Sequence, residues 1–300
     1  MRHFPSTTVR DWLDAVARPL DVTAADAPAD DPRPLLHLTR DAGVVALGTA
    51  VRAAREPSVA AHRALRTLVE EAGFRALLLE GDDPVRTGVA AYIAGEGDDP
   101  DTLVATARTF WRTEDIVVLL RWLRAFNARH PTDPVRFVPV PDGGGDVERA
   151  LADGASDWHG RTGDRVVHWG GYAHTAAAPI GERRTAGSLL RERLGAAYVS
   201  VGITFHHGLI PVPLDPPGPE LAEAVLGTAA ADAYLLDLTA TEGAPQAVLD
   251  WLTGPARVRI IGPDPIHPGI ASGASLRDWF DALVHIRELT PARPSVTGHR

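Results

Sequence analysis

The sequence predicts an α/β fold with a largely parallel central sheet flanked by helices. Eight short apolar runs, "GVVALG", "RALLLE", "VRFVPV", "DRVVHW", "AYVSVGITF", "AYLLDL", "RVRIIG" and "DALVHI", read as strands buried on both faces. Helical patterns rather than tight hairpin turns separate most of them, as expected of parallel strands joined by crossover helices. A chain of 300 residues, 45% of them hydrophobic, can bury one large α/β core or two small ones.

Taken in order, residues 1–34 hold a short helix within "MRHFPSTTVRDWLDAV" and then the acidic, proline-rich "DVTAADAPADDPRP", which has no hydrophobic period and reads as a linker. Residues 35–292 form the expected single α/β domain, and residues 293–300 a C-terminal tail. Between the first two strands, "EPSVAAHRALRTLVEEAGF" places Val59, Leu65, Leu68 and Val69 near helical spacing, with Gly73 as the stop. A second helix is expected in "TEDIVVLLRWLRAFNARH", capped by Thr113 with Asp115 in its first turn. "PDGGGD" lacks both G-x-G-x-x-G and a G-K-[ST] ending, so it reads as an ordinary turn.

Composition excludes several chemistries. With 0 Cys there is no disulfide framework, thiolate metal site or cysteine nucleophile. A net charge of -9 argues against a nucleic-acid or anionic-lipid partner, both of which need a basic face. The N-terminus "MRHFPSTTVRDWLDAV" has no apolar run long enough for a signal peptide and no later segment approaches a membrane span without Arg, Asp, Gly or Pro interrupting it, so a cytoplasmic protein is expected. The preference for Ala and Arg over Ile and Lys points to a GC-rich, actinobacterial genome. No G-x-S-x-G or H-E-x-x-H occurs, so neither a usual serine hydrolase nor a metal cofactor is expected; the nearest approach to a ligand set is Glu80, His174 and His206.

In open parallel sheets the ligand crevice lies beyond the carboxyl ends of the strands. That directs attention to residues 49–56, 80–83, 141–145, 170–174 and 206–208. In that same order, "VVALG", "LVEEAGFRALLLEGD", "YIAGEGDD", "LLRWLRAFNARH", "VVHWGGYAHT", "GSLLRERLGAAYVSVGITFHHG" and "LRDWFDALVHIRELTP" resemble the erythromycin esterase family, which includes succinoglycan biosynthesis homologues. The resemblance covers most of residues 40–292 and implies the same erythromycin-esterase-like α/β fold.

The resemblance also implies where chemistry should lie and what has been lost. The family's G-E-x-[ST]-H turn, whose Glu and His activate water, falls on Gly48 to Arg52, with Thr49 in place of the Glu and Arg52 in place of the His. Ala61 stands where hydrolytic relatives carry an Arg. The A-H-N-A-H pattern falls on Gly170, Gly171, Tyr172, Ala173 and His174, keeping only its last His. Glu80 matches a functional carboxylate. The long helical insertion that helps to cover the family's cleft is mostly missing between "VRFVPV" and "VVHW", so macrolide hydrolysis is not the expected activity.

Glu80 and His174 are therefore the expected catalytic residues of a divergent active site. Arg52, Arg55, Arg124, His206, His207 and Tyr172 are the expected substrate- or anion-binding residues; a guanidinium in place of an imidazole changes the task from proton transfer to anion fixation. Two functions compete. One is a natural-product tailoring enzyme performing hydrolysis, elimination or cyclisation on a small or peptide-like metabolite. The other is an inactive homologue, a pseudoenzyme, that binds an acidic ligand or a pathway enzyme.

Overall fold

Val44, Val45, Ala46 and Leu47 are all fully buried, which requires a sheet covered on both faces. The computed structural model describes residues 6–26, 32–97, 99–141, 144–262 and 268–295. Along the chain come α1 (Ser6–Val16), β1 (Arg18–Pro19), α2 (Pro34–Leu38), β2 (Val44–Thr49), α3 (Arg55–Ala72), β3 (Phe74–Leu79), α4 (Val89–Ile93) and α5 (Pro100–Val104). A 3-10 turn, Thr109–Trp111, leads into α6 (Glu114–Arg129), β4 (Arg136–Phe137), α7 (Val147–Thr162), β5 (Arg165–Gly171), α8 (Tyr172–Thr175) and α9 (Ala186–Leu194). The last part holds β6 (Tyr198–Leu209), β7 (Pro213–Leu214), α10 (Ala222–Leu226), β8 (Ala233–Asp237), α11 (Gln246–Thr253), β9 (Val258–Ile260), β10 (Gly269–Ala271), α12 (Leu276–Trp279) and β11 (Ala282–Leu289).

The main sheet runs β1-β8-β11-β6-β2-β5-β3-β4, with β7 paired to β6. From β11 to β4 every pairing along that order is parallel, whereas β8 is antiparallel to both β11 and β1. Val45 and Leu47 meet α3 on one face, where Leu65 and Leu68 are buried. Val44 and Ala46 meet Leu151 of α7 and Leu190 of α9 on the other. Each such leucine contributes about 1.5–3 kcal/mol by leaving water.

The helix signals act where the sequence places them. Gly73 ends α3 with φ 71°, a left-handed conformation that favours glycine, and its N–H donates to Leu68 O. Thr113 caps α6 by accepting from Ile116 N at 3.4 Å. Pro139 and Pro141 lack the N–H that would extend a ladder, so "VRFVPV" pairs over only two residues at the sheet edge. Of the turn "PDGGGD", Asp142 and Gly143 lie outside the described residues.

One expectation is corrected. "RVRIIG" is not a strand of the central sheet: β9 pairs with β10 in a separate two-stranded antiparallel sheet. The slot between β6 and β8 is filled instead by β11, whose first five residues are all buried. Arg259 of β9 donates to Asp215 O at 2.8 Å and to His206 O, fastening the small sheet to the end of β6.

After β11 the chain crosses the C-terminal ends of the strands as a strap. Pro291 bridges to Ala54, Pro294 to Thr113, and Thr290 N donates to Glu56 Oε2 at 2.8 Å. Arg293 O accepts from Glu114 N at 2.9 Å, and Arg112 O from Ser295 N at 3.1 Å. The first turns of α3 and α6 are thereby tied together. Among the described residues, no helix is long and apolar enough to cross a membrane.

Candidate active site

Parallel pairing fixes the site. Gly48 and Thr49 of β2 register with Gly170 and Gly171 of β5, and Leu79 at the end of β3 registers with Trp169. The residues that follow these strands therefore converge: Arg52 after β2, Glu80 after β3, and His174 in α8 after β5. Arg52 Nη2 donates to Glu80 Oε1, Gly171 N donates to Glu80 Oε2 at 2.9 Å, and His174 Nε2 lies 3.5 Å from Glu80 Oε1.

The glycines make that convergence possible. A Cβ on Gly170 would strike the Glu80 carboxylate, and one on Gly171 would come within 2.7 Å of Arg52 Nη2. On the other side, Trp111 Nε1 donates to Glu80 O at 3.0 Å, and Asp82 Oδ2 accepts from Arg108 N at 2.7 Å. These bonds hold the 3-10 turn against the strand ends, so that Phe110 lies under the Arg52 guanidinium, 4.5 Å from ring centre to Cζ. Thr49, Arg52, Ser58, Glu80, Phe110 and Trp169 line the resulting recess.

Burial works against both ionised partners, yet the charges around them win. Burial would raise the Glu80 pKa, but Arg52, His174 and the N–H of Gly171 together hold it below the usual carboxylate range. Burial would lower the pKa of His174, but the hydrogen bond to Glu148 and the charges of Glu80 and Glu148 raise it. His174 Nδ1 lies 2.8 Å from Glu148 Oε1, which also accepts from Arg183 Nη1 at 2.6 Å. His168, fully buried on β5, is kept neutral: burial lowers its pKa to about 4 despite the nearby Glu80 charge.

Glu80, His174 and Arg52 are thus brought together, while the other expected site residues go elsewhere. Arg55 turns to the N-terminal linker and donates to Thr23 O. Arg124 lies over the Tyr92 ring and donates to the carbonyls of Tyr92, Gly95 and Glu96, closing the end of α4. Tyr172 turns into the core, edge-on to Phe280 at 5.5 Å. His206 and His207 meet each other, 3.0 Å apart, with Arg259 and Arg287 near His206. Among the described residues, no group of three or more His, Asp or Glu could hold a metal ion. Sequence reasoning missed Glu148 and Arg183, which surround the far side of the imidazole, and Trp111, which fixes the wall.

Known proteins carry the same architecture. A structural-genomics protein from Bacillus cereus superposes with a TM-score of 0.78 at 19% identity, covering 97% of this chain and 100% of its own. A succinoglycan biosynthesis protein gives 0.78 at 18%, covering 98% and 100%. A mutant erythromycin esterase in its open conformation gives 0.66 at 10%, covering 92% and 98%. In sequence, the erythromycin esterase type II of Escherichia coli is 26% identical over 137 residues, which are 45% of this chain and 32% of that protein. The match thus spans about a third of the curated relative's length. Among the described residues, α7 is the only helix between β4 and β5. The model of the family described as erythromycin esterase matches residues 69–140 and 143–289, beginning within α3, after the turn that carries Thr49 and Arg52. By that match the chain belongs to the erythromycin esterase family.

Proposed function

We propose that the chain is a divergent tailoring enzyme that transfers a proton to a small or peptide-like metabolite in a biosynthetic pathway of the cytoplasm. The observation that carries this reading is the 3.5 Å approach of His174 Nε2 to Glu80 Oε1, with His174 22% exposed and Glu80 at the recess. An ionised Glu80 held by Arg52 is a poor base, whereas an imidazolium beside it is a competent acid near neutral pH. In the reaction, the Nε2–H bond of His174 breaks, a bond from that proton to a substrate oxygen or nitrogen forms, and the lone pair stays on Nε2. Hydrolysis, elimination and cyclisation all use such a donor at the leaving group. On the resemblance, Thr49 and Arg52 stand where the family's water-activating pair is expected, and this supports a reaction other than macrolide hydrolysis.

A second reading is favoured by Arg52 itself, since a guanidinium cannot serve as a base. Here the chain would be an inactive homologue that binds an acidic ligand or a partner enzyme of the pathway. Metabolite profiles of a host lacking the gene, complemented with wild type, Glu80→Gln or His174→Ala, separate the two. Accumulation of a precursor with either folded variant supports the enzyme. Full restoration of the product by both variants overturns it in favour of binding.

A further inference from the structure

We infer that Glu148 is a positioning residue that pins the His174 proton on Nδ1 and leaves Nε2 as the nitrogen that exchanges its proton. The inference rests on the acid–base reading of His174 given above. Its grounds are geometric. Glu148 stands in the first turn of α7, in the connector where the resemblance leads one to expect a long insertion, and is 8% exposed. Its Oε2 accepts from Ala186 N, the first residue of α9, at 2.9 Å. Its Oε1 receives Arg183 Nη1 at 2.6 Å and faces His174 Nδ1 at 2.8 Å. The carboxylate is thus held by α9 and by the loop just before it, with Oε1 turned to the ring.

The two nitrogens of His174 are not equivalent in this setting. Nδ1 has a carboxylate at hydrogen-bond distance, whereas Nε2 lies 3.5 Å from a Glu80 oxygen already occupied by Arg52. When the imidazolium gives up one proton, the better-bonded Nδ1–H is retained and the Nε2 proton leaves. Free imidazole side chains in water favour the opposite tautomer, so the preference is diagnostic. The groups facing the ring are Glu80 after β3, Arg52 after β2, His168 on β5, Glu148 on α7 and Arg183 before α9. Removing the charge of Glu148 and removing that of Arg183 should therefore move the His174 midpoint in opposite directions.

The test is a 15N NMR titration of the full chain labelled at histidine, with the His174 resonances assigned by their loss in His174→Gln. In wild type, neutral His174 is expected as the Nδ1–H tautomer. Glu148→Gln should lower the midpoint and mix the tautomers; Arg183→Met should raise the midpoint and keep the Nδ1–H form. A neutral Nε2–H tautomer in wild type overturns the inference, as do midpoints unmoved in both variants. Should Glu148→Gln fail to fold, the wild-type tautomer and the Arg183→Met shift still decide it. None of these readouts needs a substrate, so an inactive protein with the predicted titration would sink the enzyme reading while leaving the role of Glu148 intact.

Discussion

Arg52 and His174 approach the same atom, Glu80 Oε1, the guanidinium by a direct hydrogen bond and the imidazole at 3.5 Å. One carboxylate oxygen thus joins the residues that follow β2 and β5. The acid strength of His174 depends on how much of the Glu80 charge Arg52 has already neutralised.

Arg52→Met leaves Glu80 partly buried without its main cation. A loss of about 2 kcal/mol is expected in urea denaturation at pH 7, less than for a wholly buried pair because Arg52 is a quarter exposed. Since the folded-state pKa of Glu80 is depressed, its contribution is present above the ordinary carboxylate range and disappears as pH falls through the depressed value. The difference between wild type and Arg52→Met should therefore shrink at pH 3. Arg52→Met combined with Glu80→Gln should be less destabilised at pH 7 than Arg52→Met alone.

Gly171→Ala places a methyl group 2.7 Å from Arg52 Nη2. A cost of about 1–3 kcal/mol is expected from the forced shift. In an Arg52→Ala background most of that cost should vanish, and a double-mutant cycle by chemical denaturation measures the difference.

Glu223 supplies a pH effect of opposite sign to that of Glu80. Burial raises its pKa from 4.5 to about 7, so its relative stabilisation is complete below the unfolded value and is lost as pH rises to about 7. Glu223→Gln keeps an oxygen for Arg259 N, which Glu223 Oε1 accepts at 2.7 Å, without the charge. The variant should gain on wild type between pH 5 and pH 8, by on the order of 2 kcal/mol at the upper end. Parallel stability curves for the two proteins across that range would contradict the assignment.

Thr113→Ala removes the acceptor at the start of α6 and should cost about 1 kcal/mol in thermal or chemical unfolding. Thr113→Ser, which restores the oxygen, should recover most of that loss.

How much of this was legible in the sequence depended on whether the signal was local. All eight apolar runs contain strands, and in those at the middle of the sheet burial on both faces leaves a continuous hydrophobic mark. Thr113 and Gly73 were readable because caps act within a few residues. The partner of "RVRIIG" was not, since pairing is decided by which strand fills a slot. Glu80 and His174 were picked out by resemblance to a family and meet only through the register of β2, β5 and β3. Arg124 misled because a helix periodicity gives a face but not the neighbour it meets, here the end of α4. Glu148 carried an ambiguous mark, as an acid in a first helical turn is commonly a partner for the helix dipole.

The strap after β11 has a consequence for how the protein comes into being. Glu56 waits for Thr290, Ala54 for Pro291 and Thr113 for Pro294, so the starts of α3 and α6 are joined only after nearly all the described chain has been made. During synthesis, β2, β5 and β3 can bring Arg52 and Glu80 together, with Phe110 and Trp111 beside them, before that tie is made. A nascent chain halted before residue 290 should therefore hold the ion pair of the site but lack the tie that braces Ser58 and Ile116, at the starts of α3 and α6, around it.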